Sequence, residues 1–206
     1  MPCVMCGLMN LSVKAFTAAL LAGGRSTRMG QDKAWLPWRG QPLWRVQLEK
    51  LAALAPTRLI VSCRADQGFA GHALDVIPDA PDNPGPLGAI ASCLREAQMP
   101  LLVLAVDMPF MTAELLSLLL QHVGQPRRGV VFQHHEGFEP LCAVYPMEML
   151  AVLDQALARH QHRMQDVIAA SINAGLMEAL PLPAQHESAF FNANTPEEWT
   201  LAQQPT

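Results

Sequence analysis

Residues 100–107, PLLVLAVD, carry no polar side chain until their last position. A strand of that kind has no face to offer water, so other layers must cover it on both sides. The runs 15–22 (AFTAALLA) and 58–63 (RLIVSC) are of similar character, and 73–79, 129–134 and 140–146 add three more strand candidates. Between them lie segments with helical spacing. The first spans 42–54, with Leu43, Val46, Leu48 and Leu51 among its apolar positions, and 86–97, 112–123 and 147–160 follow. Thr112 is a natural N-cap for the third of these. A last helix over 195–203 opens on Thr195, Pro196 and Glu198, a capping box with proline in the first turn. Apolar strands alternating with helices predict an α/β fold, with a mostly parallel sheet and helices on both faces. At 206 residues the chain is long enough for one such core, and no repeat or low-complexity linker divides it.

Half of the residues are hydrophobic and 16% are charged, a balance that excludes global disorder. The net charge of −4 argues against a general nucleic-acid surface, although a small anion needs only a local cluster of cations. No apolar stretch reaches the ~18 residues of a membrane span. Residues 1–14 read as a short N-terminal extension with a second candidate start at Met9. They lack the basic region and small-residue cleavage site of a signal peptide. The five cysteines are scattered and odd in number, which speaks against a disulfide framework and for a reducing, cytoplasmic setting. Cys3 and Cys6 form a lone C-x-x-C, read as incidental because no second pair accompanies it.

In doubly covered α/β sheets, ligands bind beyond the carboxyl ends of the strands. The unusual residues of this chain lie there: Gly23 and Gly24 after the first strand, Asp79 after the third, Asp107 after the fourth. Paired glycines let backbone approach a ligand and turn N–H groups toward an anion. Alone they fit equally well a turn into a solvated basic loop, but Arg28 and Lys33 follow closely and favour phosphate. The segment is neither G-x-G-x-x-G nor a Walker A loop. Asp107, closing a buried strand, either caps a neighbouring amide or holds a cation. With phosphate donors across the cleft, Mg2+ is the preferred reading, since it binds through one or two carboxylates plus substrate phosphates. The loop IPDAPDNPGPLGAI reads as a rigid connection or as a wall for a base or ribose, with Asp79 as a hydroxyl acceptor. His134, His135 and Glu136 precede Gly137 at an expected hairpin and read as an exposed turn, because a third spaced metal ligand is missing.

The stretch LLAGGRSTRMGQDK, residues 20–33, resembles the signature of the nucleotidyltransferases that build the molybdenum cofactor, in particular its guanylyltransferases. NPGPLGAI, AVDMPFM, EPLCAVY and FNANTPEEW recur in the family's order, so the resemblance runs from about Phe16 to nearly the end. Sugar-nucleotide pyrophosphorylases and terpenoid-pathway cytidylyltransferases share the G-x-x-x-R-M…K skeleton. The Gly-Gly pair, the Asp-Lys ending and the closing N-x-N-T-P-E-E favour the guanylyl enzymes.

The resemblance implies a single-domain, Rossmann-like nucleotidyltransferase over 15–206. Its expected reaction is GMP transfer from MgGTP to the terminal phosphate of metal-loaded molybdopterin, with pyrophosphate released. By the same resemblance, Leu21, Ala22, Gly23, Gly24, Lys33 and Asp79 bind nucleotide, Asp107 is the magnesium ligand, and Arg28 meets the triphosphate. Asn192 and Asn194 fall near the pterin. Family members often carry Asn at a nucleotide-contacting position after the second strand, where this chain has Ser62. Lys33, Arg28 and Asp107 are therefore the expected catalytic residues. GTP and molybdopterin are the expected small-molecule partners, and molybdoenzyme apoproteins or their chaperones the expected protein partners, with neither nucleic acid nor membrane. The rival readings are cytidylyl transfer to the same pterin, nucleotidyl transfer to a sugar phosphate, and a non-catalytic cofactor-delivery adaptor. The adaptor would be expected to lose Lys33 or Asp107, and both are present.

Overall fold

The computed structural model describes residues 15–24, 30–80, 85–123, 127–193 and 195–203. The segment 1–14 with Cys3 and Cys6, the loop residue Arg28, and Asn194 lie outside the described residues. The apolar runs form strands as expected: β1 (Thr17–Leu21), then a two-stranded ribbon of β2 (Pro37–Trp38) and β3 (Gln41–Pro42), then β4 (Arg58–Cys63) and β5 (Asp75–Pro78). β6 (Leu101–Ala105), β7 (Gly129–His134), β8 (Gly137–Tyr145) and β9 (Met177–Pro181) follow. The main sheet has the order β5-β4-β1-β6-β8-β7-β9. Its β5, β4, β1 and β6 run parallel, β7 and β9 run parallel, and among its described strands β8 alone opposes the rest.

The helices are α1 (Leu43–Ala52), α2 (Pro86–Ala97), α3 (Ala113–His122), α4 (Met149–Ala158), α5 (Met164–Asn173) and α6 (Pro196–Ala202). Both expected caps form: Thr112 accepts from the Leu115 N–H, and Thr195 with Glu198 makes the reciprocal capping box. α5 and β9 had no counterpart in the sequence reading. β8 starts earlier than read, at Gly137, so Glu139 belongs to a strand rather than to the approach of one.

Alternate residues of the central strands feed two cores. Ala18, Leu20, Leu102 and Leu104 pack on one face with residues of α1 and α3, while Ala19, Leu101 and Val103 pack on the other with α2, α4 and α5. Burial on both faces is why these strands are apolar throughout. Among the described residues, no helix is long and apolar enough to cross a membrane.

Candidate functional site

A cavity of about 310 Å3 opens beyond the carboxyl ends of β1, β5 and β6. Leu21, Ala22, Gly23, Gly24, Lys33, Asp79 and Asp107 all line it, so the residues singled out after three separate strands share one wall. Gly85, Pro86 and Ala89 close it from the first turn of α2. That helix end carries no side-chain cap, so its dipole and first-turn amides favour an anion in the cavity.

The strand ladder shapes the glycine pair. The Ala22 and Gly23 N–H groups both donate to the Ser62 carbonyl, at 2.8 and 3.2 Å. This corrects the expectation that both glycine amides face an anion: Gly23 extends the β1–β4 ladder, and its N–H is used there. Gly23 instead provides room, since a Cβ there would lie 2.3 Å from Asp79 Oδ2. Gly24 has φ +120°, a backbone conformation that side chains rarely adopt. Ser62 is buried and not among the lining residues; its Oγ donates to Asp79 Oδ1 at 2.9 Å and so orients that carboxylate.

Lys33 begins a 3-10 turn whose cap is Asp32, with Oδ1 accepting from the Ala34 N–H at 3.0 Å. Its ammonium lies 3.5 Å from Asp107 Oδ2 and is almost entirely buried, while the Asp107 side chain keeps 30% of its surface open. A cation and a carboxylate thus stand side by side where an anionic ligand would enter. Among the described residues, no group of three or more His, Cys, Asp or Glu side chains is placed to hold a metal ion. A single hard oxygen ligand fits a divalent ion that takes its remaining ligands from substrate phosphates and water.

Two supports escaped the sequence reading. Arg64, just after β4, donates to the Gly24 carbonyl and, at 3.2 Å, to Asp32 Oδ2, joining the residues on either side of the signature loop. The signal available was an arginine directly after a strand that neighbours β1. Gln47, fully buried on α1, donates to the Val106 carbonyl at 3.2 Å and the Met108 carbonyl at 2.7 Å, fixing backbone on both sides of Asp107. Its signal was plain: a polar residue between Leu43 and Leu51 on the buried stripe.

A second cavity of about 310 Å3 lies at the β7–β8 hairpin, lined in part by His134, Glu139, Glu187, Phe190 and Phe191. The hairpin turn at His135 and Glu136 is exposed as expected, but His134 is not: it turns inward and pairs with Glu139 at 2.8 Å. Burial pushes the Glu139 carboxyl above the usual carboxylate range, with His134 opposing that shift and Asp107 adding to it. Asn192, next in the chain, is half-buried and is not among the residues lining either cavity.

Residues 18–177 match the family described as the MobA-like NTP transferase domain. The chain is 34% identical, over 194 residues, to a protein of Opitutus terrae named as a probable molybdenum cofactor guanylyltransferase, covering 92% of this chain and 96% of that one. It is 35% identical, over 198 residues, to the molybdenum cofactor guanylyltransferase of Xanthomonas euvesicatoria, covering 91% and 94%. Among solved structures, the molybdopterin-guanine dinucleotide biosynthesis protein A of Archaeoglobus fulgidus superposes with a TM-score of 0.73 at 23% identity, over 91% of this chain and 96% of that one.

Proposed function

The chain belongs to the MobA-like NTP transferase family as a molybdenum cofactor guanylyltransferase, and on that premise we propose that the cavity between Gly24 and Asp107 is where GMP passes from MgGTP to molybdopterin. The observation that carries the proposal is the convergence of Lys33, Asp107, Gly24 and the α2 N-terminus on one cavity.

A terminal phosphate oxygen of molybdopterin attacks the α-phosphorus of GTP. The bond from that phosphorus to the oxygen bridging to the β-phosphate breaks, and pyrophosphate leaves with the electron pair. The nucleophile is already anionic, so no general base is required. What opposes reaction is repulsion between two anions and their alignment, so catalysis is positioning plus electrostatic stabilisation. Lys33 and Arg28 hold triphosphate oxygens, the α2 dipole adds positive potential, and Asp79 with Ser62 behind it meets the nucleoside. Asp107 would hold Mg2+, which when bound would supply neutralising charge at the phosphates. By the family resemblance, Asn192 and Asn194 are the residues that would contact the acceptor. The same reading sets the enzyme in the cytoplasm, with molybdoenzyme apoproteins or their chaperones receiving its product.

The test is to incubate the protein with molybdopterin and Mg2+ and to compare pyrophosphate release from GTP and CTP. Release with GTP is expected; release with CTP alone would transfer the assignment to the cytidylyl enzymes, and GTP binding without release would favour the adaptor. Replacement of Lys33 or Asp107 by Ala is expected to lower kcat by ~100-fold or more, the scale of one preorganised charge.

A further inference from the structure

The acceptor of this reaction has an anionic phosphate at one end and a fused pterin ring system with a donor edge at the other. The nucleotide cavity provides for the first end alone. The second cavity adjoins it along one strand. Leu141 lines the nucleotide cavity and Glu139 lines the other. Two positions apart on β8, their side chains leave the same face about 7 Å from each other. The β6–β8 register pairs Leu104 with Cys142, and continued outward it sets Asp107 opposite Glu139. That register sets one carboxylate of each cavity on neighbouring strands.

The lining of the second cavity has a definite chemistry. Phe190 packs edge-on against Phe132, with ring centroids 5.5 Å apart, and Phe191 leaves 37% of its surface exposed at the rim. Aromatic rings of this kind offer faces for stacking a flat heterocycle. The Glu139 side chain is 19% exposed; its Oε1 is paired with His134 Nε2, and among the described residues its Oε2 makes no hydrogen bond. Oε2, with the remaining lone pair of Oε1, can still accept from a pair of N–H donors. The pyrimidinone edge of a pterin presents such a pair, its ring N–H beside an exocyclic amino group. A volume of about 310 Å3 is within the range of small-ligand sites. The charges also run the right way, with the cation Lys33 toward the phosphate end and carboxylates toward the donor edge.

We infer that the cavity bounded by Glu139, His134, Phe190 and Phe191 is the acceptor subsite, in which Glu139 binds the donor edge of the pterin ring and His134 holds Glu139 in place. This rests on the guanylyltransferase reading and assigns residues that the signature motif does not contain. The test is steady-state kinetics with molybdopterin and GTP varied separately. Glu139→Gln keeps the side chain's shape but puts an amino donor where an acceptor is needed. It is expected to raise KM for molybdopterin about tenfold, as for a lost charge-assisted hydrogen bond, and to leave KM for GTP within about twofold. Phe191→Ala, at the exposed rim, is expected to shift KM for molybdopterin in the same direction by a smaller factor. An unchanged KM for molybdopterin in both variants, or equal shifts for both substrates, would overturn the subsite while leaving the activity standing. Wild-type protein that transfers GMP to some other phosphate but not to molybdopterin would overturn the activity, and the subsite with it.

Discussion

At Gly23 the absence of a side chain is what the site uses. Its backbone is held by the Ser62 carbonyl, and the space a Cβ would take is filled by the Asp79 carboxylate. Gly23→Ala therefore drives Asp79 away from Ser62 without disturbing the core. Weakened GTP binding, by roughly tenfold or more as for a displaced polar contact, is expected with little change in Tm. Calorimetric titration with GTP beside a thermal melt would check both halves. Gly129 makes the instructive contrast, because a Cβ there would lie 2.3 Å from the Val144 carbonyl, inside the sheet. Its replacement should cost stability first, by strain against backbone that cannot yield.

Helix α1 works as a positioning element for a residue on another strand. Gln47 spends both of its donated hydrogen bonds on the carbonyls flanking Asp107, and Lys50 braces the arrangement by donating to Gln47 Oε1 at 2.8 Å and the Pro109 carbonyl at 2.9 Å. Gln47→Leu keeps the apolar stripe but leaves two carbonyls without their donor, at a cost of ~1–3 kcal/mol for each buried acceptor. A lower Tm is expected together with a fall in kcat, because the turn carrying Asp107 loosens; an unchanged kcat would show that Asp107 holds its position without α1. The helix was legible in the sequence from its apolar spacing, whereas Gln47 on its buried face escaped that reading. The strands β1, β4 and β6 were legible because burial on two faces leaves an uninterrupted apolar run, and the glycines after β1 with the carboxylates after β5 and β6 marked the first cavity. The second cavity was not legible. α5 has no side-chain cap at its start and β9 is a partly exposed edge strand, so neither carries a strong local signal. Glu139 sat beside a hairpin turn whose extent depended on pairing between β7 and β8, a tertiary fact that local pattern does not contain.

Across the whole molecule, burial of thiols on the sheet and on α2 ties stability to pH. Cys63, Cys93 and Cys142 are free and buried. Desolvation pushes Cys63 up to about 11 and Cys93 up to about 12, and raises Cys142 further in the same direction. An unfolded thiol titrates near 8.5, so above that pH the unfolded chain has released protons that the native state retains. Stability that is fully present below about pH 8.5 is then lost as pH rises through the folded values. Lys50 acts with the opposite sign. Burial first, and Arg39 second, lower it to about 8, so near pH 10 the native amine is neutral while an unfolded lysine is still mostly charged. That opposes roughly one of the three thiols, leaving a net loss on the order of 3 kcal/mol per pH unit around pH 10. Urea unfolding under a thiol reductant is expected to show a midpoint little changed from pH 7 to 8 and falling steeply from pH 9 to 10.5. Lys50→Met removes the opposing contribution and should steepen the fall. Joint replacement of the three cysteines by alanine should abolish most of it, and a slope that survives that replacement would mean the buried thiols are not its source.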